Sequence, residues 1–250
     1  MITYIKSFSN KITDNIFTEK FSDKKILVMG SGPSVNDTNW DKLDVDGIVT
    51  CNNFYRNDKV RESGKITHVS FQYKDVNLAD ERLIDFFDKN QDCTIAFDAY
   101  RLESPPGNSF YHNNNFKKFV EKYRDRIYGY DVVRVSNNHE GVAGRMGKFV
   151  IRWLPSDLYY VGIDGWSQKP FEDPMNAFMM HRGKPASENH YDYLDMVTAH
   201  TEFAHKMYEF AKENDINLYN LGEGFEYNRS TEVSEKFFKL SDEIKNIIRK

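Results

Sequence analysis

Three short stretches carry residue types suited to holding an anionic, hydrogen-bonding ligand. The run Ile26-Leu27-Val28-Met29 leads directly into Gly30-Ser31-Gly32-Pro33-Ser34. A strand that ends in such a loop brings backbone N–H groups to the carboxyl edge of a sheet. Glycine there permits close approach of a ligand, and a following helix N-terminus favours negative charge. Pro33 and Ser34 break the G-x-G-x-x-G spacing of dinucleotide sites, and no Gly-Lys-Ser/Thr follows as in a P-loop. A tight strand-to-helix turn accounts for the same residues. The second stretch is Cys51-Asn52-Asn53-Phe54-Tyr55, where Asn52 and Asn53 can both donate and accept, as a base or ribose requires. An Asn-rich turn is the plainer reading. The third is Phe71-Gln72-Tyr73, which puts another amide at the end of a strand. Three successive strands ending this way on one rim say more than any one of them.

The elements that must position these residues follow from hydrophobic patterning. Predicted strands are Lys25–Met29, Ile48–Cys51, Ile66–Phe71, Cys93–Phe97, Asp131–Val135, Leu158–Ile163 and Ile216–Leu221. Most are continuous apolar runs, as expected of strands covered on both faces. Helical patterns fall between them at Ala79–Lys89, Phe116–Arg124, Val142–Trp153 and Tyr191–Glu213. This alternation predicts a doubly wound α/β sheet of seven strands, mostly parallel, in a single domain spanning residues 1–250. Gly141 and Gly144 open one helix just after a strand, so its free N–H groups would face the same rim.

Three segments stand apart. Residues 1–23 read as a polar arm on the surface. Residues 165–189 carry three prolines and no period, which suggests a functional lid. Near the C-terminus, Val233, Phe237, Leu240, Ile244 and Ile247 form an amphipathic helical stripe within residues 233–250. Docking on its own domain, contact with a second copy, and contact with a membrane surface through Lys245, Arg249 and Lys250 are its three possible fates.

Composition removes several classes. With 34 Lys plus Arg against 38 Asp plus Glu, the net charge of -4 provides no basic excess for a nucleic-acid backbone. Hydrophobic residues at 40% are enough to build a core. Two cysteines, Cys51 and Cys93, exclude a disulfide scaffold and suit a reducing compartment. No span of roughly 20 apolar residues could cross a bilayer, and Met1 to Asn10 lacks a secretory apolar core. A cytoplasmic protein is expected. Asp44-Val45-Asp46 has the spacing of a divalent-cation site, but it precedes the second predicted strand and reads as a polar turn at the wrong edge. Zinc spacing is lacking, so no metal is expected, and the lack of a Gly-x-Ser-x-Gly elbow speaks against a Ser-His-Asp hydrolase.

Taken together, Gly30-Ser31-Gly32-Pro33-Ser34, Cys51-Asn52-Asn53-Phe54-Tyr55 and Val161-Gly162-Ile163-Asp164 resemble the bacterial lipooligosaccharide sialyltransferase family. There the corresponding stretches read Gly-Asn-Gly-Pro-Ser, Cys-Asn-Gln-Phe-Tyr and Ser-Gly-Ile-Asp, in the same order. The resemblance spans about residues 25–222. It implies a Rossmann-like, metal-independent, inverting glycosyltransferase. Such an enzyme takes its sugar from a CMP-activated donor and passes it to a glycan acceptor, with no cofactor. It also implies that Gly30, Ser31, Gly32, Pro33 and Ser34 lie against the nucleotide, with Asn52 and Asn53 near the phosphate and sugar. Gln72, Ala143, Gly144 and Asp164 fall at further donor-binding places. Gly-x-Gly-Pro-Ser alone also resembles pterin pyrophosphokinase-like proteins, which would require ATP and magnesium.

Sialyl transfer needs a base for the acceptor hydroxyl, and a histidine suits that role. His200-Thr201 resembles the family's His-Ser pair, whereas His190 begins a helical pattern after Asn189. Tyr193, Val197, His200, Ala204, Met207 and Ala211 share one helical face, so His200 is expected to point inward, as a base or as a core histidine. One departure stands out. Where the family has an aromatic pair ending in Tyr that supports the departing phosphate, this chain has Gly165-Trp166. Cations from His181, Arg182 and Lys184 in the lid, or from Arg145, are candidates to replace it. A merely solvated charged loop is the alternative.

Overall fold

The apolar runs become the strands of one sheet. The computed structural model describes residues 3–6, 16–32, 34–71, 76–98, 114–131, 141–163, 206–221 and 242–248. In chain order the elements are β1 (Thr3–Lys6), α1 (Ile16–Phe21), β2 (Lys25–Met29), α2 (Ser34–Asp37), β3 (Gly47–Cys51) and α3 (Asp58–Arg61). Next come β4 (Ile66–Phe71), α4 (Glu81–Lys89), β5 (Thr94–Asp98), α5 (Asn114–Tyr123) and β6 (Ile127–Asp131). The remainder are α6 (Gly141–Val150), β7 (Asp157–Val161), α7 (residues 206–213), β8 (Asn217–Asn220) and α8 (Asp242–Ile248). The strands lie in the order β1-β6-β5-β4-β3-β2-β7-β8, and every neighbouring pair is parallel.

The continuous apolar character of β2 and β3 has a direct cause. Ile26, Leu27, Val28 and Met29 are wholly buried, as are Ile48 and Val49, because helices cover both faces. Along β4 the two faces separate cleanly. Phe71 packs with Phe87 of α4 and Phe119 of α5. His68 points the other way, against Phe17 of α1 and Phe149 of α6. Each fully buried side chain of this size contributes about 1.5–3 kcal/mol, as an upper bound. The doubly wound α/β expectation therefore holds.

Two expectations change. Residues 1–23 are not a plain surface arm: Thr3–Lys6 forms β1, the eighth strand, parallel to β6. Ile16–Phe21 is a helix whose Phe17 and Phe21 stack on Trp153 at 4.8 and 4.5 Å. A six-residue helix with one i, i+4 aromatic pair is too short to stand out as a period. The strand expected at Asp131–Val135 is found at Ile127–Asp131, where Ile127 pairs Ile95 and Gly129 pairs Phe97. The β-branched Val132, Val133 and Val135 attracted the sequence reading away from Tyr128-Gly129-Tyr130.

At the C-terminus, α8 docks on its own domain. The Asn39 N–H donates to the Ile248 carbonyl at 2.9 Å, and Ile244, Ile247 and Ile248 pack against the core. No helix among the described residues is long and apolar enough to cross a membrane. The lid at 165–189 and residues 191–205 of the long predicted helix lie outside the described residues.

Candidate functional site

The path of the chain creates a switch point in the strand order at a defined place. From β2 it proceeds through β3, β4, β5 and β6 on one side, then returns to place β7 on the other side of β2. Connections leaving β2 and β7 thus diverge to opposite sides, and open α/β sheets bind ligands beyond the carboxyl ends of such a strand pair. Met29 is level with Val161. The glycine loop follows one of them and Gly162 the other.

These two loops are fastened together. The Gly30 N–H donates to the Val161 carbonyl and the Gly32 N–H to the Gly162 carbonyl, both at 2.8 Å. The Gly162 N–H donates to Ser34 Oγ, also at 2.8 Å. Gly162 adopts φ +71°, and a Cβ there would lie 2.6 Å from the Gly30 oxygen. Only glycine permits both the left-handed backbone and the close approach. This changes the expectation drawn from the sequence. The Gly30 and Gly32 N–H groups are engaged in holding β2 to β7, and α2 is a single turn. Ser34 is buried and serves the same clasp. Ser31 and Gly32, both half-buried, are what this loop presents at the rim. Pro33 lies outside the described residues.

On the next strand, Asn52 takes φ +48°, a left-handed conformation that Asn tolerates better than other side chains. Its N–H donates to the Ser70 carbonyl at 3.0 Å, which holds the ends of β3 and β4 together. Asn52 is half-buried at the rim. Asn53 is wholly buried, and its Oδ1 accepts from the Tyr55 hydroxyl at 3.1 Å. The neighbouring amides therefore have different duties, since Asn53 braces the turn that presents Asn52. The turn itself abuts the glycine loop's helix, with Asn57 Nδ2 donating to Asn36 Oδ1 at 3.2 Å.

Helix α6 supplies the roof. It lies over β2, β3 and β4 and leads down to the start of β7, so its first turn is at the carboxyl rim. Ala143 and Gly144 belong to that turn. Gln72, Asp164, Gly165, Trp166, Arg182, His190 and His200 lie outside the described residues. The stripe that carries His200 can be followed at its described end. Met207 and Ala211 are buried, as its phase requires.

Other reactive groups fall away from the rim. His68 sits in the core, where burial pulls its pKa down to about 3 with a smaller effect from Lys20. The Thr94 hydroxyl donates to the Thr67 carbonyl, so His68 Nδ1 donates to Thr94 Oγ1 at 2.7 Å and Nε2 faces Ser70 Oγ. His68 is a neutral core histidine. Burial pushes the Cys51 and Cys93 thiols up to about 12, which makes them poor nucleophiles. Asp46 Oδ2 accepts from the Lys25 N–H at 2.8 Å and exposed Asp44 pairs with Lys25, a turn at the amino edge as expected. Among the described residues no group of three or more His, Cys, Asp or Glu could hold a metal ion.

No protein-family model matches the chain, and no curated protein matches it. Solved structures share its fold. The monofunctional α-2,3-sialyltransferase Cst-I from Campylobacter jejuni is 19% identical with a TM-score of 0.53, over 95% of this chain and 86% of that one. The sialyltransferase CstII from Campylobacter jejuni with the substrate analogue CMP-3FNeuAc is 19% identical, TM-score 0.50, over 89% and 88% of the two chains. CST-II with a trisaccharide acceptor and CMP is 20% identical, TM-score 0.50, over 91% and 90%. The remote resemblance stated on three short stretches thus extends to the whole fold.

Proposed function

We propose that the chain is an inverting, metal-independent glycosyltransferase. It moves a sialic-acid-type sugar from a CMP-activated donor to a glycan hydroxyl. The observation that carries this reading is the clasp at the point where the strand order reverses. It presents Ser31 and Gly32 beside Asn52 at the rim where an α/β sheet binds nucleotides. The solved structures with this fold include a sialyltransferase with CMP and an acceptor trisaccharide.

In the reaction, the acceptor oxygen bonds to the anomeric carbon while the bond from that carbon to the phosphate oxygen breaks. CMP leaves with the bonding electrons. His200 takes the acceptor proton, with His190 as the second candidate. Asn52 meets the donor near its phosphate and sugar, and Arg182 of the 165–189 segment supplies positive charge where Trp166 stands in place of a tyrosine. Gln72 and Asp164 complete the donor contacts.

The test is release of CMP from a CMP-sialic acid donor with a glycan acceptor present, with and without EDTA. Turnover that persists in EDTA and drops at least 100-fold in His200→Ala supports the proposal. Turnover only with ATP and magnesium, as phosphoryl transfer, would replace it with a pyrophosphokinase-like reading.

A further inference from the structure

Four cations cluster around the turn that follows β3, and three of them are balanced by carboxylates. Lys59 pairs with Asp41 at 2.6 Å, Arg61 with Asp58 at 2.7 Å and Glu62 at 2.8 Å, and Arg82 with Asp80 at 2.9 Å. Arg56 makes no direct ion pair among the described residues, although the Asp80 carboxylate feels its charge and the Arg56 side chain hydrogen-bonds with Tyr55. Its Nε is buried and donates to no acceptor there.

The same turn fixes where that guanidinium sits. Phe54–Arg56 is a single 3-10 turn, closed by the Arg56 N–H donating to the Asn53 carbonyl at 3.0 Å. Tyr55 is wholly buried and forms a platform, with the Arg56 guanidinium 5.9 Å and that of Arg82 5.7 Å from its ring centre. Arg82 is held by Asp80 through both Nε and Nη2. Arg56 therefore carries positive charge on the rim of β3, four residues beyond Asn52, with no ion pair of its own among the described residues. A buried guanidinium N–H without an acceptor is costly. The planar fork fits a phosphate or carboxylate, and an aromatic platform preorganises it.

We propose that Arg56 is an oxyanion receptor that binds the donor, through either its phosphate or the carboxylate of its sugar. This deepens the reading of a CMP-activated donor and rests on it. Arg56 acts by binding and placing the donor, and bond making and breaking do not involve it.

Calorimetric titration of the full chain with CMP, CMP-3FNeuAc and cytidine tests this, using wild type, Arg56→Gln, Arg56→Lys and, as a charge control, Arg82→Gln. Arg56→Gln is expected to weaken binding about tenfold or more, with Arg56→Lys intermediate and cytidine unaffected. Equal weakening of both charged ligands identifies the phosphate as the partner. Weakening of CMP-3FNeuAc alone identifies the carboxylate. Arg82→Gln should bind like wild type, and the ligand-free melting temperature of Arg56→Gln should not fall. If wild type and Arg56→Gln bind both charged ligands equally, Arg56 is not a receptor and the proposed function stands. If wild type binds neither, both readings fail.

Discussion

Ser34 Oγ accepts a hydrogen bond from the Gly162 N–H at 2.8 Å, across 128 residues of sequence. It joins the helix that follows the glycine loop to the end of β7. Replacing Ser34 with Ala leaves the buried Gly162 N–H without its acceptor, a loss of about 1–3 kcal/mol. Urea unfolding should show this decrease, and Ser34→Thr, which keeps the hydroxyl, should recover part of it. Gly162→Ala should be worse. Its new Cβ meets the Gly30 oxygen at 2.6 Å while the backbone stays left-handed. A variant as stable as wild type in both cases would mean the clasp does not hold the rim.

Asn52 separates backbone and side-chain roles. Its φ of +48° is accessible to glycine, so Asn52→Gly should lose less stability than a β-branched replacement. Asn52→Val should lose about 1–2 kcal/mol, because a β-branched residue resists the left-handed region. Both should lose donor affinity if the amide meets the donor. Asn52→Gly with full affinity for CMP-3FNeuAc would remove that amide from the site.

His68 sets an acid limit on the fold. Burial holds its folded pKa at about 3, against 6.5 when unfolded. The unfolded state then binds a proton that the folded state refuses. Stability is full above pH 6.5 and falls by about 1.4 kcal/mol per pH unit below it, down toward pH 3. Denaturation at pH 7.5, 6.0 and 5.0 should reveal the slope, and His68→Gln should flatten it. A wild-type stability that stays constant from pH 7.5 to 5.0 contradicts this account of the core.

Much of the fold was legible because buried parallel strands advertise themselves. Lys25–Met29 carries its boundary in an apolar run that stops at Gly30. β1 and α1 were not legible, because a four-residue edge strand and a one-pair aromatic helix carry too little period to detect. At the site, the sequence marked the glycine loop but misassigned its N–H groups. Nothing local to residues 30–34 signals that their partner is Val161-Gly162. Gly162 fell inside the predicted strand Leu158–Ile163, whereas the strand ends at Val161 and Gly162 turns away in a left-handed conformation. Asn52 and Asn53 look alike in sequence. The structure distinguishes them: Asn52 takes a left-handed backbone at the rim, whereas Asn53 is buried and accepts from the Tyr55 hydroxyl.

Calorimetric comparison of CMP with ATP, UDP and NAD tests the central claim most directly, because it asks which nucleotide the switch point between β2 and β7 accepts. Saturable binding of CMP at micromolar to millimolar concentration, absent with the other three, is the predicted result. Binding of ATP in preference to CMP, or heats indistinguishable from dilution for CMP, would contradict it.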